Sequence, residues 1–205
     1  SAIPSDSETF DQWQPKISLT WDATDATTVY GSWGVGFKAG GFNNSGATET
    51  IQFYLVDNGA DVVAPPRVFR EETSSAFELG FRSTLLDGSL QLNGAVFHTE
   101  VDDMQFFEFF VGPFGLLRTA ENIDEVTLQG FELSAAWAVT DNLRIDLGYS
   151  EVDGEIDANV LRPYTIGNNV PNNPEFTANA AIQYTQPMGA WELFGRLEHS
   201  YKGDT

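Results

Sequence analysis

SSAFELGFRSTLLDGSLQLNGAVFHTEV, residues 74–101, decides the fold. Asp87-Gly88 is a strong signal for a tight hairpin turn. Before it, Phe77, Leu79, Phe81 and Leu85 share one face of an extended strand, and Glu78, Gly80, Arg82 and Thr84 share the other. After it, Leu90, Leu92, Gly94 and Val96 alternate with Gln91, Asn93 and Ala95. Successive side chains of a strand point to opposite faces, so the hairpin has one apolar and one polar side. What the apolar side touches, a protein core or lipid, is the question on which the fold class turns.

The same alternation repeats on either side. It predicts eight strands, at residues 13–21, 27–38, 72–85, 89–103, 125–139, 143–152, 176–186 and 191–201. In the fifth, Phe131, Leu133, Ala135, Trp137 and Val139 oppose Gly130, Glu132, Ser134 and Ala136. In the eighth, Trp191, Leu193, Gly195, Leu197, His199 and Tyr201 oppose Glu192, Phe194, Arg196, Glu198 and Ser200. Short turns at 22–26, 86–88, 140–142 and 187–190 alternate with long loops expected at 39–71, 111–122 and 153–175. Within the first loop, residues 52–56 are a candidate strand extension, and residues 104–110 are a candidate continuation of the fourth strand.

These strands are longer than the soluble average of about 5–6 residues and match the ~9–11 of a tilted membrane strand. Short turns at one end and long loops at the other are the layout of an outer-membrane barrel. Trp21, Trp137, Tyr184 and Trp191 lie on the apolar face near the short turns. Phe37, Phe77, Tyr149 and Tyr201 lie on it near the long loops. Two such girdles suit the two headgroup levels of a bilayer. The opposite face carries the mid-strand charges Glu78, Arg82, Glu132, Arg144, Asp146, Glu192, Arg196 and Glu198, as a water-filled or plugged lumen would. The expected fold is therefore all-β, an antiparallel up-and-down transmembrane β-barrel, with residues 1–205 as a single domain.

Composition narrows the partners. The chain has 30 Asp and Glu against 10 Lys and Arg, a net charge of −20. A phosphate binder needs a basic patch, so nucleic acid is excluded, as is electrostatic attachment to an anionic bilayer surface. Cysteine is absent, which removes disulfides and thiolate metal sites. No stretch approaches the ~20 apolar residues of a membrane helix, which says nothing against strands. SAIPSDSETF at the start has neither a positive nor an apolar region. It is not a signal peptide, so the expectation is a removed leader or an internal piece.

Four segments carry a family resemblance: PKISLTWDATDATTVYGSWGVGFKAGGFN, FELGFRSTLLDGSLQLNGAVFHTEVDDMQF, LQGFELSAAWAVTDNLRIDLGYSEVDGEI and VPNNPEFTANAAIQYT. They resemble the β-barrel of a TonB-dependent outer-membrane receptor over nearly all of residues 13–203. No single segment is a catalytic signature; the order and spacing carry the likeness. The resemblance implies a 22-strand barrel around an N-terminal plug domain, coupled to TonB through parts missing from this chain. It places these eight strands in the later half, about three short of the closing strand. It implies residence in the bacterial outer membrane, with membrane lipid and lipopolysaccharide as surroundings and the plug domain, TonB and a nutrient ligand as partners. The function implied is energised uptake of a scarce nutrient such as an iron–siderophore complex, cobalamin or an oligosaccharide. A soluble lectin-like β-sandwich and a passive porin are the alternatives.

An enzyme is not expected, and neither is a cofactor. A carboxylate glycosidase would need two acids about 5–10 Å apart in one cleft. With 30 acids, proximity of a pair such as Glu192 and Glu198 is unremarkable. Two His and no Cys leave no transition-metal ligand set; His98 and His199 fall on the apolar face near loop ends. Asp153-Gly-Glu-Ile-Asp157 has the middle of a calcium loop, but Tyr149 and Val160 occupy its end positions and cannot chelate. The acids Asp57, Asp61, Glu71, Glu72, Glu100, Asp102, Asp103, Glu108, Glu151, Asp153, Glu155 and Asp157 cluster near the loops, as a solvated surface or a cation-attracting rim. Binding residues concentrate on loops held by a rigid scaffold. The candidate ligand-binding residues are therefore Asn43, Asn44, Asp57, Asp61, Asn168 and Asn169.

Overall fold

The computed structural model describes residues 7–59 and 62–204. One antiparallel sheet of eight strands dominates it, built as a meander in which each long strand pairs with the next. Its strands are β1 (Lys16–Thr24), β2 (Thr27–Lys38), β5 (Glu72–Leu85), β6 (Leu90–Gly112), β7 (Gly115–Ala138), β8 (Leu143–Ala158), β9 (Phe176–Met188) and β10 (Trp191–Lys202). A two-strand ribbon, β3 (Gly41–Phe42) with β4 (Val68–Phe69), and the short helix α1 (Ser45–Ile51) lie in the connection between β2 and β5. The sheet is not closed: β1 and β10 each pair on one side.

Register makes the apolar face continuous. Leu79 stands opposite Gly31 and Val96, Phe131 opposite Val96, and Leu133 opposite Gly94 and Tyr149. Further along, Leu147 faces Ala180, and Ile182 faces Ile145 and Leu197. No second protein layer covers this face among the described residues: Leu79 is 57% exposed, Leu193 57% and Leu197 72%. A β-sandwich would bury these side chains together at about 10 Å sheet spacing. An uncovered band this broad needs hydrocarbon against it.

Aromatic rings mark the upper edge of that band. Phe131, Tyr149, Phe176 and Tyr201 follow one another across four strands, at centroid separations of 5.6, 6.0 and 5.4 Å. Trp33 and Phe77, opposite each other on β2 and β5, are 6.1 Å apart, and the Trp33 indole N–H donates to Ser75. The other face carries an ion ladder. Asp146 accepts from Arg144 at 2.8 Å and Arg196 at 3.3 Å, and Arg196 also reaches Glu198. Arg82 lies over the Tyr30 ring at 5.2 Å.

Three expectations need correction. Residues 111–122 are not a long loop: β6 and β7 run on for 23 and 24 residues and meet at Gly112↔Gly115. Predicted strands 89–103 and 125–139 are thus the lower parts of one tall hairpin. Its tip turns at Gly115, whose φ of 88° suits glycine. Gly112-Pro113 looks like a loop locally, but Phe106, Glu108 and Phe110 pair across to Glu121, Thr119 and Leu117, and pairing overrides composition. Residues 52–56 are not a strand but a π-helical turn, Gln52–Val56, continuing from α1. The connection between β8 and β9 begins later than 153, because β8 extends to Ala158.

Candidate functional site

The tall hairpin stands between the two real long loops and holds both. Asp103, in the left-handed region at φ 56°, marks the point along β6 where the hairpin leaves the sheet. Just there a small core forms from Val101, Ile123, Val126, Ile156 and Val170, with Met104, Phe106 and Leu128 against it. Val170 belongs to the connection after β8, so this core docks that loop. The loop lies close because Gly154 has no side chain: a Cβ there would come within 2.9 Å of Leu128 and 3.2 Å of Val170. Val170 N–H donates to the Gly154 carbonyl, and Gly167 N–H to that of Ile156.

Polar side chains fasten the other loop. The Asn43 amide behaves as a detached peptide unit. It donates to the carbonyls of Pro66 and Ala120 at 2.7 Å each and accepts from Ala120 N–H at 2.7 Å. Asn122 does the same for Arg70, accepting from its N–H at 2.7 Å and donating to its carbonyl and to that of Asp103. The Arg70 guanidinium then bridges Asp103 at 2.5 Å and Asp124 at 2.8 Å. The Asp103 hydrogen bond and both carboxylate charges hold that guanidinium above its usual pKa, against partial burial. Asp124 also accepts from Val160 N–H, which ties in the second loop.

A buried ion triad completes the junction. Arg162, from the second loop, pairs with Glu108 on β6 and lies 2.8 Å from Glu121 on β7. Glu121 is 1% exposed, and neither of its oxygens has an aligned hydrogen-bond donor among the described residues. The Thr119 hydroxyl, two residues away on the same face, is equally buried and unpartnered. Burial raises the Glu121 pKa to about 7; the Glu108 charge adds to the rise and Arg162 opposes it. Burial also works against the Arg162 charge, but the two carboxylates outweigh it and raise its pKa.

The six candidate ligand contacts divide by position. Asn43 is spent on the loop itself. Asn44 caps α1, accepting from Gly46 and Ala47 N–H. Asp57 accepts from the Gln52 side chain at the end of the π-helical turn. Asp61 lies outside the described residues. Asn168 and Asn169 are exposed on the second loop; Asn168 contributes its backbone to Thr165 and Ile156, and Asn169 bridges to Glu155. The two loops are brought to the same hairpin, but these residues do not touch one another in any recorded bond. Sequence reasoning passed over Arg70, Arg162, Glu121 and Asn122, which make the junction. One signal was available: acids outnumber bases threefold, so an arginine inside a long loop has many carboxylates to pair with.

Among the described residues, no group of three or more His, Cys, Asp or Glu side chains could hold a metal, and no helix is long and apolar enough to cross a membrane. His98 lies 3.7 Å from Glu100. What the arrangement offers is a rigid wall with an apolar outer band, a charged inner face, and a knot of loops at one end.

Comparison with known proteins agrees with that picture. The probable TonB-dependent siderophore receptor PiuA of Acinetobacter baumannii is 25% identical over 178 residues, which is 82% of this chain and 22% of that protein. The chain thus spans about a fifth of its relative's length. Two solved receptors share the fold. The ferric yersiniabactin uptake receptor FyuA of Yersinia pestis has a TM-score of 0.67 at 23% identity, over 92% of this chain and 25% of that one. The ferric preacinetobactin receptor BauA of Acinetobacter baumannii has a TM-score of 0.62 at 17% identity, over the same shares. The family model for the TonB dependent receptor-like β-barrel matches residues 2–205. The chain therefore belongs to the TonB-dependent receptor β-barrel family of the outer membrane.

Proposed function

We propose that this chain is wall and loop of a receptor that captures a ferric siderophore outside the cell and takes it up with energy from TonB. The observation that carries the reading is the sheet's two-sidedness: an uncovered apolar face backed by a charged one, with loops gathered at one end. A wall of this kind does no bond-making chemistry. Its ladder of Arg144, Asp146, Arg196 and Glu198 would face a plug domain, and its apolar band would face lipid and lipopolysaccharide. The relatives' names favour a siderophore over cobalamin or an oligosaccharide. Asn168 and Asn169, exposed on a docked loop, together with Asp57 and Asp61, are the proposed ligand contacts. Asn43 and Asn44 would act by shaping their loop.

Deleting the full-length gene should abolish uptake of a radiolabelled ferric siderophore by iron-starved cells, and restoring it should return uptake only where TonB is functional. Uptake unchanged by the deletion would refute the siderophore reading. Solute entry that depends on the gene but not on TonB would point to a passive porin.

A further inference from the structure

The Glu108–Glu121–Arg162 triad joins two elements that meet nowhere else through buried charges among the described residues. Arg162 comes from the loop 159–175, and both acids come from the tall hairpin. One guanidinium thus serves two carboxylates, leaving an excess negative charge in a site where Glu121 is 1% exposed. Both Glu121 oxygens and the Thr119 hydroxyl lack an aligned partner. A carboxylate buried this deeply, sharing its one counter-ion with Glu108 and without an aligned donor, is costly, whereas the neutral acid brings its own donor. We propose that the loop 159–175 is held on the β6–β7 hairpin by a proton-controlled latch with Glu121 as its gate, tightening in mild acid and loosening in mild alkali.

The groups facing Glu121 are few. From the loop there is Arg162, and from β6 there is Glu108 with Phe106 directly opposite in the ladder. From its own strand there is Thr119. Arg70, Asp103 and Asp124 satisfy one another nearby. Arg162 keeps its charge throughout, since its pKa is raised. The direction follows from the acid. With the loop docked, Glu121 takes up a proton near pH 7; with the loop lifted into water, it does so near the ordinary 4.5. The docked state therefore binds the proton more tightly. Docking is at full strength below about pH 4.5, weakens as pH rises towards about 7, and levels off above it. Between pH 6 and 8 the docking equilibrium should fall by about tenfold.

Hydrogen–deuterium exchange on the full-length receptor in detergent, followed over residues 159–170 and corrected for the intrinsic pH dependence of exchange, tests this. The open fraction of the loop should rise about tenfold from pH 6 to pH 8 in the wild type. Glu121→Gln, which stays neutral and keeps its shape, should hold the loop closed at both pH values. Glu121→Leu should do the same if the amide folds poorly. Equal protection at pH 6 and 8 in the wild type would overturn the latch, and so would a Gln variant that keeps the wild-type response. Protection at pH 8 restored by added calcium would replace the proton with a cation and likewise overturn it.

Discussion

At the scale of single residues, the junction rests on side chains that imitate backbone. Asn43 makes three hydrogen bonds in the plane of one amide, two of them to both polar groups of Ala120. Alanine there would strand the Ala120 N–H and two carbonyls at the loop–hairpin junction. Unmet buried groups cost about 1–3 kcal/mol each, less where water enters. Asn43→Ala should therefore loosen the connection between β2 and β5 by about 2–3 kcal/mol without unfolding the sheet. Limited proteolysis should show faster cleavage within residues 44–66 and none in the strands. Asn43 was legible as a loop asparagine, but its role was not, since its partners Pro66 and Ala120 lie 23 and 77 residues away.

At the scale of elements, strand contact is close enough that single hydrogens matter. A Cβ on Gly130 would sit 2.0 Å from the Glu151 carbonyl oxygen and 2.9 Å from the Phe97 ring. Backbone cannot yield as a flexible side chain can. Gly130→Ala should force β7 and β8 apart locally and lower the urea midpoint of refolding into lipid vesicles, by an amount typical of overpacking, about 1–3 kcal/mol. Gly148→Ala is a useful contrast: the Asn179 side chain it would meet can rotate away. The tall hairpin is the element the sequence misled on. Gly112-Pro113-Phe114-Gly115 has the composition of a loop, yet it is only the tip of a ladder that continues on both sides. The helix α1 was also missed, although Asn44 followed by a polar stretch with Ala47 and Ile51 on one face is a cap signal.

At the scale of the whole molecule, the prediction concerns which face meets which solvent. Leu79 lies mid-strand on the apolar side, and Ser134 lies mid-strand on the charged side. Leu79→Arg should cost about 2–4 kcal/mol when folding into a bilayer is titrated with urea. Ser134→Lys should cost under about 1 kcal/mol. Equal penalties would mean that the two faces see the same medium, which would remove the membrane reading. The open edges at β1 and β10 belong at this scale too. Unpaired strand edges beside a broad apolar face favour association with further strands, as the larger barrels of the family supply.

Alternation with a period of two and turn residues such as Asp87-Gly88 were enough to mark the eight long strands and the face each side chain takes, because both are local. Each side chain's face follows from its neighbours in the chain, whatever lies across the ladder. Which loop residues work together was decided only by tertiary structure. Arg162 meets Glu108 and Glu121 across gaps of about forty to fifty residues. No local pattern encodes that meeting; it exists only once β6 and β7 have paired upward and Val170 has docked on them.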